Sequence, residues 1–406
     1  MNYFNKNFIN FCVITFVLLI GSFIAVNRGS NFSDGDSYSI ILSFLKYLDL
    51  GIYEPSRNYG HPLPELVIGS FAYFFGTPFS NLICFLCFFA SIIILFFTFV
   101  KKNNNLYLFV LLCSSNFYLL FENTNSVDFP IALLFFSLGF FFLKKKYLVI
   151  SAIFFGLCIA SRANFLVFIY PSLFIYYYDN IINKKFYDFV KVLVISIFVG
   201  ILFYYPVFKT NDYSLKFLDL PFIENTTESG WYGGPDIKFE LLFPRFVFKI
   251  YKLTGVFASI IILFFYKEII KYMISLNKLT LISCYVIFVN LIIFYFMPTK
   301  MLIINPFLLF LYLIIFNSLN KKKIILIILL NLLPWFLSYN ILDIKYKNQE
   351  LCYAKEAIDA SFSFSISEGN LIEYMNSNSK LGKCYSTFMG KYYFEFENGL
   401  PLRLSK

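Results

Sequence analysis

The stretch "FINFCVITFVLLIGSFIAVNRGSNFSDGDSYS" (residues 8–39) decides whether this chain lives in water or in a membrane. Residues 8–26 carry no charge and are long enough to cross a hydrocarbon core about 30 Å thick. They are long for the apolar core of a signal peptide, and no convincing small-x-small cleavage site follows, so they read as a retained first span. The sequence then changes character within a few residues. Asp34 and Asp36 stand two apart in a run that is otherwise small, polar or aromatic. Acids set beside a membrane in so weakly charged a chain are candidates for a catalytic pair, a metal site or a solvated turn.

Of the 406 residues, 59% are hydrophobic and 14% charged, a balance that excludes an ordinary soluble globular protein. Apolar runs of about 15 to 20 residues recur along nearly the whole length, as bilayer-spanning helices require. The 57 Phe and 31 Tyr invite a functional reading. Yet Phe, Tyr, Ile, Asn and Lys share AT-rich codons, and base composition accounts for most of the excess. The net charge of +10 does not point to nucleic acid, because the lysines fall in short clusters between apolar runs. These are Lys101–Lys102, Lys144–Lys146, Lys184–Lys185, then Lys267, Lys271 and Lys278, and finally Lys321–Lys323. The positive-inside rule sets each cluster on the cytoplasmic face.

With the clusters inside, spans fall near 8–26, 80–100, 106–121, 128–143, 147–161, 164–179, 187–207, 246–266, 279–297, 301–317 and 324–340. This is an all-α polytopic membrane protein with about eleven transmembrane helices, its N-terminus cytoplasmic and its C-terminus extracytoplasmic. Residues 62–76, "PLPELVIGSFAYFFG", are apolar but short. A crossing there would invert every later Lys cluster, so an outer juxtamembrane or re-entrant helix is expected instead. The membrane module, 1–340, then carries a first extracytoplasmic loop at 27–79 and a second large outer loop at 208–245. No span holds Lys, Arg, Asp or Glu near its centre, which weighs against an ion-coupled transporter or proton pump. Chemistry is expected at the outer surface.

The polar groups assigned to that surface come from distant parts of the chain. They are Asp34 and Asp36; Arg57, His61 and Glu65 in "PSRNYGHPLPE"; Glu122 and Asp128 in "FENTNSVDFP"; Arg162 in "ASRANF"; Trp231 and Tyr232 in "ESGWYGGPD"; and Lys300 in "MPTKMLIINP". Transfer of a sugar from a polyprenyl phosphate fits such a set. An acceptor hydroxyl must lose its proton as it attacks the anomeric carbon, and a carboxylate can take it. The departing lipid phosphate needs Arg, Lys or a metal ion. Asp36 or Asp34 would supply the base, Arg162, Lys300 or Arg57 the phosphate clamp, and His61, Glu65, Glu122, Asp128, Trp231 and Tyr232 the substrate contacts. Each has a plainer reading. Asp-Gly-Asp-Ser is an ordinary turn in which Asp36 caps a helix, His61 packs in a loop, the cations snorkel, and the aromatics mark an interface. There is no zinc signature and no phosphate-cradling Gly-rich loop.

Three stretches carry a resemblance: "SDGDSYSIILSFLKYLDLGIYEPSRNYGHPLPELVIGSFAYFFG", "GLCIASRANFLVFIYP" and "MPTKMLIINPFLLF". Together they resemble the GT-C superfamily of integral membrane glycosyltransferases, which includes protein O-mannosyltransferases and the aminoarabinose transferase of lipid A. The resemblance implies a first span followed by an acidic outer loop with juxtamembrane helices, and an inverting transfer from a dolichyl- or undecaprenyl-phosphate sugar. It makes Asp36 or Asp34 the base, although Asp-Gly-Asp replaces the family's adjacent Asp-Glu. Some members use a divalent metal and others do not. The donor lipid and a glycan, lipid or protein acceptor are the implied partners; the Lys/Asn/Phe-rich composition and short tail point to a bacterial inner or plasma membrane. A polysaccharide or O-antigen polymerase and a lipid-linked sugar flippase are the alternatives.

Residues 341–406 form a small polar segment in which "FSFSIS" and "KYYFEFENG" read as short strands. An extracytoplasmic setting would permit a Cys352–Cys384 disulfide. The other six cysteines, Cys12, Cys84, Cys87, Cys113, Cys158 and Cys284, are expected to behave as small buried hydrophobes.

Overall fold

A computed structural model describes residues 2–27, 35–51, 53–56, 60–100, 105–182, 186–210, 212–213, 242–275, 277–296 and 304–335, with short stretches at 340–343, 363–365, 396–397 and 400–401. Helices dominate. Among the described residues, four are long and apolar enough to cross a membrane: α1 (Asn2–Asn27), α4 (Thr77–Phe99), α10 (Tyr187–Thr210) and α14 (Lys278–Phe296). Between them run α2 (Gly35–Leu50), α3 (Pro62–Phe75), α5 (Leu106–Ser115), α6 (Phe117–Glu122), α7 (Asp128–Lys144), α8 (Leu148–Ser161) and α9 (Leu166–Ile182). The later helices are α11 (Leu242–Thr254), α12 (Val256–Phe264), α13 (Tyr266–Met273), α15 (Asn305–Ser318) and α16 (Lys321–Leu332).

The structure corrects several expected boundaries. The span expected at 106–121 is two helices, because Asn116 leaves helical geometry and caps α6 by accepting from Leu119 N at 2.8 Å. The span expected at 246–266 breaks at Gly255, whose φ of +87° lies in the left-handed region. The last one starts earlier, at Lys321, and after Leu332 becomes a short 3-10 turn to Trp335. Cys12 is exposed on α1, unlike the buried Cys84, Cys113 and Cys158. Residues 35–50 and 62–75 do form the two helices expected in the first loop. In the tail, Ser363–Ser365 pairs antiparallel with Asn340–Asp343, and Phe396–Glu397 with Leu400–Pro401; Cys352 and Cys384 lie outside the described residues.

Packing orders the bundle. α7 and α8 form an antiparallel hairpin that sits between α4 and α10. Small residues let these helices approach: a Cβ on Gly156 of α8 would lie 2.8 Å from the Ser196 carbonyl oxygen of α10, the kind of contact that holds helices together in lipid. Interlocked phenylalanines fill the centre, with Phe136 edge-on to Phe140, Phe165 and Phe310.

The two ends of the bundle differ in charge. At one end Lys144 donates to the carbonyls of Phe97 and Thr98, Lys278 to that of Tyr176, and Lys323 pairs with Glu268. At the other end Asn81, early in α4, donates to Ala25 O near the end of α1 at 3.3 Å. α3 belongs wholly to this second end. It starts beside Asp128, the first residue of α7, and it finishes where α4 begins. Both of its ends thus lie at the end of the bundle away from Lys144 and Lys323.

Candidate functional site

Gly60 starts the site. Its φ of +62° is one that L side chains rarely adopt, and a Cβ there would meet Val207 at 2.8 Å. The turn brings the chain into α3 with Pro62 as its first residue, where a missing N–H costs nothing. One turn later, Glu65 reaches back. Its buried carboxylate accepts from His61 N at 3.0 Å, Ser56 N at 2.9 Å, the Ser56 hydroxyl and the Tyr53 hydroxyl. Burial, and then the charge of Glu65, push the Tyr53 hydroxyl well above the usual phenol range. The segment 53–61 is thus pinned around one carboxylate. Beside it, Lys46 of α2 pairs with Glu54 at 2.6 Å.

His61, held by this latch, is fully buried, and its Nε2 lies 3.7 Å from Asp128 Oδ2. Asp128 opens α7, where a helix N-terminus favours negative charge. Arg162 follows the last residue of α8 in an extended conformation that ends the helix. Because α7 and α8 are antiparallel neighbours, that position faces the start of α7, and Arg162 Nη1 bonds Asp128 Oδ2. The guanidinium also sits 4.9 Å from the Phe129 ring centroid. Asp128 is 3% and Arg162 11% exposed at the side chain, so breaking this pair would leave a charge stranded in a poorly solvated site.

Next to the trio, residues 123–126 are neutral, polar and buried. Ser126 bonds Ser80 at 2.6 Å and donates to Asn81 at 2.7 Å, while Asn305 of α15 donates to Asn123 at 3.0 Å. Cys84 approaches Val127 O at 3.6 Å, seven residues into α4, so α7 begins about 10 Å below the start of α4. The site is recessed. α7 and α8, at 17 and 14 residues, span about 26 and 21 Å, short of a hydrocarbon core about 30 Å thick.

Of the residues expected from sequence, His61, Glu65, Asp128 and Arg162 come together. Glu122 ends α6 half-buried at the head of the same loop. Asp36 is the second residue of α2, its side chain outside the described residues. Asp34, Arg57, Trp231, Tyr232 and Lys300 also lie outside them. The reading missed Tyr53, Ser56, Asn81 and Ser126; the run Asn-Thr-Asn-Ser at 123–126, an unusual neutral patch between apolar stretches, was a signal for Ser126 alone. Among the described residues no three His, Cys, Asp or Glu side chains gather as metal ligands. Asp128 is engaged by Arg162, and Glu65 by its four donors.

Compared with known proteins, the chain matches no family model, no curated protein and no solved structure. Its own geometry must carry the reading.

Proposed function

We propose that the chain is a membrane glycosyltransferase of the GT-C kind, moving a sugar from a polyprenyl-phosphate donor to an envelope glycan, lipid or protein. The supporting observation is the recessed trio of His61, Asp128 and Arg162, drawn from three distant segments to the bundle end that also holds α2 and α3. On this reading the donor's phosphate approaches Arg162, which Asp128 orients and which keeps N–H groups beyond the one bonded to Asp128. An acceptor hydroxyl attacks the anomeric carbon from the opposite face. The bond from that carbon to the phosphate oxygen breaks, the phosphate leaves with the electron pair, and the hydroxyl proton passes to Asp36 or Asp34. The donor is inverted. The chain crosses the membrane about eleven times, with the lysine-rich end in the cytoplasm, the site outside, and a bacterial plasma membrane as its setting.

The test is transfer from radiolabelled polyprenyl-phosphate sugars in membranes at matched expression. Asp36→Asn or Asp34→Asn is expected to lower turnover about 100-fold or more, and Arg162→Gln to weaken donor use. Transfer at the wild-type rate in both Asp variants would remove the proposed base and the mechanism with it.

A further inference from the structure

Helix α13 and the first turn of α16 meet at the lysine-rich end, joined by the ion pair of Glu268 and Lys323. The Lys323 ammonium also lies 4.5 Å from the Phe265 ring centroid. Three stripes run along α13. Ile269 is buried, with Tyr272 and Met273 half-buried against the core. Tyr266, Ile270 and Ile274 recur at every fourth position, which stacks them on one side of a helix. These three are 50%, 46% and 66% exposed. Lys267 and Lys271, again four apart, run beside that apolar stripe and are also exposed. Glu268, the one acid of α13, is taken by Lys323. Lys321 and Lys322 stand exposed on the neighbouring turn, and the two residues before Phe265, Leu263 and Phe264, are exposed as well.

We propose that this face is a binding site for anionic phospholipid: Lys267, Lys271, Lys321 and Lys322 hold the headgroup phosphates while Tyr266, Ile270 and Ile274 enter the acyl boundary. A helix with an apolar stripe bordered by lysines suits the membrane interface, its ammonium groups snorkelling to the phosphates on long apolar stems. Excess positive charge at that depth selects acidic headgroups over zwitterionic ones. Nucleic acid would answer the charge but leave the tyrosine and isoleucines in water. Glu268, the one acid of α13, is already paired with Lys323, so no free carboxylate of α13 repels a lipid phosphate. The inference needs the membrane character of the chain but not its catalytic reading.

The purified full-length chain is reconstituted into phosphatidylcholine membranes with a spin-labelled probe, either phosphatidylglycerol or phosphatidylcholine. The motionally restricted fraction of each probe is then compared. At low salt the wild type is expected to prefer phosphatidylglycerol about fivefold or more. The combined variant Lys267→Gln, Lys271→Gln, Lys321→Gln, Lys322→Gln should fall close to parity, and arginine at the same four positions should keep the preference. All four side chains are exposed, and an unchanged elution profile and melting midpoint would show that the fold survives. Lys144→Gln with Lys145→Gln, at the same end but on α7 and the turn after it, should leave the preference within about twofold. Parity in the wild type, an unchanged preference in the fourfold variant, or an equal fall in the Lys144/Lys145 variant would each overturn the site. The last outcome would assign the preference to diffuse charge rather than to α13.

Discussion

Tyr53 carries a hydroxyl whose proton the fold retains, because burial and the adjacent Glu65 charge both oppose its loss. A folded-state pKa above the unfolded value of about 10 contributes stability that is complete below that pH. The contribution is lost as pH rises past about 10, by up to about 1.4 kcal/mol per pH unit from this one group. Tyr53→Phe should therefore start about 1 kcal/mol less stable at neutral pH, having lost the hydrogen bond, and then fall less steeply than the wild type above pH about 10. Thermal midpoints of the two proteins in detergent, measured across that range, check it; parallel curves would mean that Tyr53 is not held as described. The partners of this latch were unequally legible. His61, Glu65, Asp128 and Arg162 stood out because ionisable side chains are scarce in an apolar chain. Tyr53 did not, being one of 31 tyrosines, and nothing in its neighbours marked it as the donor to a buried carboxylate.

At the level of helices, hydropathy located nearly every apolar segment but read through the breaks. A single Asn or Gly barely changes the average over a window long enough to find a span, so 106–121 and 246–266 looked continuous. The structure shows why the breaks are tolerated inside a bundle. Asn116 donates to Leu253 O at 2.7 Å and to the Tyr312 hydroxyl at 2.9 Å, and Trp335 donates to Ser115 O at 2.8 Å. Asn331 also donates to the Tyr312 hydroxyl, at 3.3 Å. Carbonyls freed from two helices are answered by side chains of their neighbours, which is what a non-aqueous interior demands. Asn116→Ala removes a helix cap and strands the Leu253 carbonyl, and it should cost about 1–3 kcal/mol. Ser91→Ala, which loses only a bond to Cys87 O within its own helix, should stay within about 0.5 kcal/mol. Thermal aggregation midpoints of the two variants in one detergent would test this; equal losses would show that Asn116 does not join the breaks.

For the molecule as a whole, described lysine clusters and the candidate site separate to opposite ends of the bundle. The lysine clusters on α7, α13, α14 and α16 share one end, while His61, Asp128 and Arg162 share the other. α1 finishes where α4 starts, so α2 and α3 together return the chain to the end it had reached. Charge counting along the sequence requires residues 62–75 to stay on one side if the later lysine clusters are to share a face, and both ends of α3 lie at the end of the bundle that holds His61 and Asp128. Expected side can therefore be assigned position by position. Reporter fusions placed after Lys145, Ser275 and Asn320 should all report the cytoplasmic side, and a fusion after Asp212 the opposite one. A fusion after Gly76 decides the remaining case: if α3 covers the bundle, position 76 reports the same side as 212. If it reports the cytoplasmic side instead, α3 crosses, the order of every later segment inverts, and the site end could not face an extracytoplasmic donor.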